Sequence, residues 1–199
     1  MHIPMISVIL SVFIFMLGGC SPVTSPIKNY YTLSAYGTKK VGSTSLAKSL
    51  LISPPEAVAA CQGSQMLYIN KLFERASFAH NAWANTPAEM LFPLIVKSMQ
   101  RLEQFQVLTS TSNSEPTDYR LDTQILSLEQ NFLRTPSQID FAVKIVLSNV
   151  KNNQPLISKI MEYHVNCPTD TPYGGVLAAN KAVELFTSDL SRFVSGHVH

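Results

Sequence analysis

The sequence is short of almost everything that marks a catalytic, metal-binding or nucleic-acid-binding chain. Only 14% of its 199 residues are charged, and fifteen Lys and Arg stand against thirteen Asp and Glu, a net charge of +2. That balance supplies no basic field and argues against a nucleic-acid partner. The three cysteines include no C-x-x-C pair, and of the five histidines only His197 and His199 lie close together, at the C-terminus. Ligand spacing for a metal is therefore missing. There is no G-x-S-x-G turn to hold a serine nucleophile. Gly174-Gly175 lacks the surrounding pattern of a phosphate loop and reads as a place of close packing. Glu103, Glu129, Glu162 and Glu184 fall on predicted helix or strand faces with solvated neighbours, which is no arrangement for general acid–base work. We expect neither a catalytic site nor a cofactor. With 46% apolar residues the chain is too hydrophobic for disorder and long enough to bury a core as one domain.

The longest uncharged stretch is N-terminal. From Met5 to Leu17 every residue is apolar except Ser7 and Ser11. A run of this length falls short of the roughly 20 residues that span a bilayer and suits the apolar region of a signal peptide. It ends in Leu17-Gly18-Gly19-Cys20, the pattern of a bacterial lipobox. Residues 1–19 are thus expected to be a lipoprotein signal peptide, and Cys20 the lipidated residue that becomes the anchor. A plain membrane anchor and a cleaved secretory signal are the alternatives, since no Lys or Arg precedes the apolar run. Ser21 stands where an Asp would retain a lipoprotein in the inner membrane, so we expect the outer membrane of a Gram-negative cell, with the domain facing the periplasm. Residues 20–28, with prolines at 22 and 26, read as lipidated cysteine and tether.

Cys61 and Cys167 are then left in an oxidising compartment. Two readings stand open: a disulfide closing a loop of about 100 residues, or two unpaired small apolar side chains.

Along the rest of the chain, Tyr30 to Leu33, Ser49 to Ser53 and Gln65 to Asn70 are short β-prone runs, and Leu72 to Trp83 reads as a hairpin around Arg75-Ala76. Thr86-Pro87-Ala88-Glu89 is a capping box with proline in the first helical turn. The helix it opens carries Leu91, Leu94, Ile95, Met99 and Leu102 on one face and is interrupted by Pro93, where a kink is expected. Thr109 to Thr117 reads as a polar loop. Asp118 to Phe132, Gln138 to Val150 and Pro155 to Cys167 form a predicted three-stranded meander, with a bulge near Ile125 where the apolar alternation changes face. After Thr171-Pro172 a second amphipathic helix carries Val176, Ala179, Val183, Phe186, Leu190 and Phe193. The order predicts an α+β fold: a mixed or antiparallel sheet with two helices packed on one face.

Phe73, Phe78 and Trp83 are the aromatic cluster outside the regular elements. They are either a core plug beneath the first helix or an exposed ridge for a partner, and as a ridge they are the partner-binding candidates.

Taken in order, Cys20, Tyr30-Tyr31-Thr32-Leu33, Leu51-Ile52-Ser53-Pro54-Pro55, Met66-Leu67-Tyr68-Ile69, Phe78-Ala79-His80-Asn81-Ala82-Trp83-Ala84, Pro87-Ala88-Glu89-Met90-Leu91 and Asp118-Tyr119-Arg120-Leu121 carry a resemblance. The chain resembles the PqiC-like auxiliary lipoproteins of MCE-type ABC transport systems. The resemblance implies that residues 29–199 are a single periplasmic auxiliary domain and that the protein is a non-enzymatic partner in lipid traffic between inner and outer membranes. It would hold the outer-membrane end of a periplasm-spanning MCE-domain protein, with a ring-forming homo-oligomer in view. The rival reading is an anchored activator of a periplasmic cell-wall enzyme, and a lipid hydrolase is a distant third for want of a nucleophile.

Overall fold

The computed structural model describes residues 28–38, 46–110, 117–152 and 154–198. The lipobox, Cys20 and nearly all of the tether lie outside the described residues.

One strand organises the sheet. β7 (Tyr119–Asn131) buries Tyr119, Leu121, Thr123 and Ile125 in strict alternation. Its register then slips between Ile125 and Ser127, after which Leu128 and Gln130 take up the buried face. The bulge expected near Ile125 is therefore real: one extra residue keeps the apolar set on one side although the sequence pattern changes phase. Along one edge β7 pairs antiparallel with β8 (Gln138–Asn149), which pairs antiparallel with β9 (Gln154–Asn166), giving the meander. Along the other edge it takes three parallel partners in succession: β2 (Leu46–Ile52), β3 (Glu56–Ala57) and β4 (Gln65–Lys71). β4 continues antiparallel into β5 (Glu74–Trp83), and β1 (Asn29–Tyr31) lies parallel to the end of β5. β6 (Phe105–Thr109), which the sequence pattern does not announce, adds to β2 in parallel. Among the described residues the sheet is mixed and has nine strands.

The helices cover its buried face. α1 (Pro87–Gln100) opens on the expected box: Thr86 Oγ1 accepts from the Glu89 N–H at 3.3 Å, and the Glu89 carboxylate accepts from the Thr86 N–H at 3.0 Å. The helix runs on through Pro93, whose ring is exposed, so the lost hydrogen bond falls on the solvent side. α2 (Pro172–Ser195) starts at Thr171, whose hydroxyl accepts from the Gly174 N–H at 3.1 Å. It buries Ala179, Val183, Phe186 and Leu190 completely. The two helices meet through hydroxyls, Ser98 donating to the Thr187 carbonyl at 2.9 Å with Ser191 Oγ 2.7 Å away, so the polar groups in the contact are satisfied.

Two glycines let backbone approach α2 and the sheet closely. A Cβ on Gly175 would stand 2.4 Å from the Gln130 amide oxygen, which confirms its reading as a packing residue. Downstream of β1 the chain runs along α2, where Asn180 Oδ1 accepts from the N–H groups of Ser34 and Ala35 at 2.8 and 3.1 Å. Gly37 then donates its N–H to Thr187 Oγ1 at 2.7 Å. A Cβ on Gly37 would sit 2.7 Å from the Ser188 backbone, which cannot give way as a side chain could. Gly37→Ala is expected to lower stability by about 1–3 kcal/mol, read as a shift in the denaturant midpoint at unchanged slope.

Candidate functional site

The three aromatic candidates are built into three different environments. Trp83 ends β5 at 2% exposure, inside the core. It is a core residue, not part of a ridge: its side chain belongs to the buried cluster, while its backbone is held between Tyr31, its β1 register partner, and the Ser64 carbonyl, to which its N–H donates at 2.8 Å. Phe78 is half-buried against Tyr68 and Phe132, with ring centroids 4.6 and 6.3 Å away. Phe73 alone stands wholly in solvent, beside Leu72 at 65% exposure.

The hairpin turns at Leu72-Phe73, not at Arg75-Ala76. Lys71 and Glu74 close it, as register partners and as an ion pair at 3.0 Å. A two-residue hairpin loop asks for positive φ, which is why Gly and Asn usually fill it. Here Phe73 carries φ +64°. Just inside the turn Arg75 makes two hydrogen bonds across β4 to the carboxylate of Glu129, a side chain 8% exposed. The carboxylate beside it raises the Arg75 pKa. This fork ties the hairpin to β7 just inside the tip, whose Phe73 is fully exposed. A third exposed apolar residue, Leu133, follows β7 at the same end of the sheet, where the Phe132 N–H donates to the Ile69 carbonyl at 2.7 Å.

A second surface lies on the other side of the sheet. β9 bonds to β8 and to no further strand among the described residues. Between it and α2 opens a groove of about 590 Å³, lined by Ile160, Met161, Tyr163, Asp189, Arg192 and Phe193 among others. On its wall the Tyr163 hydroxyl donates to Asp189 at 2.9 Å, and Arg192 pairs with the same carboxylate. Burial first, and the Asp189 carboxylate second, push the Tyr163 phenol well above its ordinary pKa, so it stays protonated.

Cys61 and Cys167 are both buried, and neither is bonded to the other. Cys61 closes a short 3-10 turn (Ala59–Cys61) and meets the Leu128 backbone, whereas Cys167 follows β9 and meets Ser137 and Gln130. Each thiol has its own neighbours, and of the two open readings the structure shows the unpaired one. Burial raises the pKa of both, which removes them as nucleophiles as well. Among the described residues no group of three or more His, Cys, Asp or Glu side chains could hold a metal, and no helix is long and apolar enough to cross a membrane.

Residues 31–191 match the family model of the ABC-type transport auxiliary lipoprotein component. The chain belongs to this family. The expected resemblance holds at that level, and the α+β fold agrees with solved structures. Protein XCC0632 from Xanthomonas campestris is 13% identical, with a TM-score of 0.77 over 85% of this chain and 96% of that one. The hypothetical protein CT253 from Chlamydia trachomatis is 9% identical, with a TM-score of 0.53 over 76% of this chain and 98% of that one. At these identities the likeness is one of fold. No curated protein sequence matches the chain.

The sequence pattern points to Phe73 but misses Leu72, Leu133 and the groove beside β9. The two leucines look like ordinary strand residues, and the groove exists only through the packing of α2 beside an edge strand. For this auxiliary lipoprotein, Trp83→Ala should cost about 3–5 kcal/mol of stability, seen as a large fall in thermal midpoint. Phe73→Gly should instead raise stability by up to about 1 kcal/mol, because it relieves a left-handed backbone and removes no packing. Both thiols should react with a chromogenic disulfide reagent only after denaturation, and a reductant should leave the thermal midpoint unchanged.

Proposed function

We propose that this auxiliary lipoprotein is a non-enzymatic docking component of an MCE-type ABC lipid transport system. Acylated Cys20 anchors it to the outer membrane, and residues 29–199 face the periplasm. There it holds the outer-membrane end of a periplasm-spanning MCE-domain protein. The observation that carries the reading is membership of a family of lipoproteins auxiliary to ABC transport, joined to a lipobox at Cys20.

The chemistry of the buried side chains supports a holding role. The two thiols and the Tyr163 phenol are all kept in their protonated forms, so none is an activated nucleophile. The surface most suited to a protein partner is the β9 edge. No described strand pairs with its outer edge, so its backbone can accept another strand, and the groove toward α2 offers pockets for the alternate side chains that strand would present. Pro155 and Lys159 guard the first half of β9, as edge strands commonly are. The stretch from Ile160 to Val165 remains open to a partner.

A photocrosslinking residue at Ile160 of the cellular protein tests this. Recovery of an MCE-domain protein in the crosslinked product is the expected outcome. A cell-wall synthase in its place would overturn the transport reading in favour of an activator.

A further inference from the structure

We infer that the tip of the β4–β5 hairpin, Leu72 and Phe73, enters the lipid leaflet that holds the Cys20 anchor. The inference rests on the anchor proposed for Cys20 and adds to it a membrane-contact site in the folded domain.

The direction of β1 puts the tip and the anchor on the same side. β1 lies parallel to β5, with Asn29 opposite Asn81 and Tyr31 opposite Trp83. Since β5 starts at the hairpin tip, β1 is entered from the tip's end of the sheet. The lengths agree. From Asn81 back to Glu74 is seven residues of strand, about 23 Å. The nine residues from Cys20 to Lys28 span at most about 32 Å. The anchor therefore reaches a little beyond the tip when the tip points at the membrane. The opposite end of the sheet, where Tyr119 pairs with Asn149, lies nine residues of β7 in the other direction from the level of Leu128, about 30 Å away, so it is the direction of β1 that selects the tip.

The side chains at the tip suit the same surface. Phe73 is fully exposed and Leu72 nearly two-thirds exposed, in a turn whose backbone favours glycine. Among the described residues nothing in the packing accounts for a phenylalanine there. Leu133 adds a third apolar side chain at the same end. Lys71 and Arg134 flank them, both exposed, with stems long enough to lie along the acyl chains while the charges stay among headgroups. An apolar tip with a charged rim, where Lys71 pairs with Glu74 and Arg134 stands at the same end, held at the reach of a lipid tether, fits a lipid surface.

The test uses the full acylated protein, whose remaining cysteines are buried and inert to labelling. Phe73→Cys and Leu72→Cys are each labelled with an environment-sensitive NBD probe and reconstituted into phosphatidylethanolamine–phosphatidylglycerol vesicles. Asn152→Cys, at the opposite end, is the control. Flotation reports the anchor and the probe reports the tip. We expect the protein to float, with a several-fold rise in emission at 72 and 73 that a shallow nitroxide lipid quenches, and a control that behaves as in water. Floating protein whose tip probes match the control would overturn the insertion and leave the anchor standing. Protein that stays at the bottom of the gradient would overturn the anchor, and the insertion with it. A response that appears only when an MCE-domain protein is added would reassign the tip to a protein contact.

Discussion

β7 accepts parallel strands along one edge and an antiparallel meander along the other, and the burial of its inner face sets where both surfaces of the molecule stand. The pleat allows one face only to be apolar, so Tyr119, Leu121 and Ile125 fix the register against the helices. Without the slip after Ile125, Leu128 and Gln130 would turn outward and Glu129 would turn into the core. With it, Glu129 lies on the other side of the sheet, where Arg75 reaches it across β4. A single inserted residue thus decides whether the hairpin has a charge to be tied to. An unpaired buried carboxylate would be costly, and the fork supplies its partner.

The hairpin tip departs from this consistency of packing. Phe73 adopts a backbone conformation that L-residues avoid and exposes its whole ring. Both features oppose stability, the first by strain and the second by leaving a large apolar surface in water. Local and global preferences agree almost everywhere else in the domain, including the capped helices and the alternating strands. A place where both fail at once is where a requirement other than folding is to be sought. Such a conflict exists at the tip and not at Trp83, whose burial satisfies every local preference.

Periodicity makes the long elements legible in the sequence. Both helices, the three-stranded meander and the bulge near Ile125 can be read because each rests on several residues repeating a phase. The failures have a common cause. β3 and β6 span two and five residues, too few to repeat anything, and they exist as strands because β7 and β2 present edges to them. The pattern sets the hairpin turn too late along the chain because a turn is recognised by glycine or asparagine, and this one uses phenylalanine. Cys61 and Cys167 invite a bridge from compartment and number alone, yet geometry decides pairing and gives each thiol separate neighbours. The groove is illegible in the sequence, since Tyr163 and Asp189 are 26 positions apart and meet only through the placement of α2.

The two surfaces acquire a common orientation once the tip is set at the lipid. Sheet strands then stand along the membrane normal, because the hairpin tip and the β8–β9 turn are opposite ends of the same strand direction. β9 lies three strands from β4 in that sheet, through β7 and β8, or about 14 Å away across the ladder. Its open edge is therefore displaced sideways from the anchor and is not pressed against the headgroups. It also leads away from the membrane along its own axis, turned from that of β4 by the twist accumulated over three strands. A strand added there would follow that axis for the length of the open stretch, so the partner would be aligned as well as held. The proposed lipid contact would matter to this arrangement because a single lipid anchor limits distance and not direction. A second point of attachment at the tip would limit the tilt that otherwise brings the β9 edge against the headgroups.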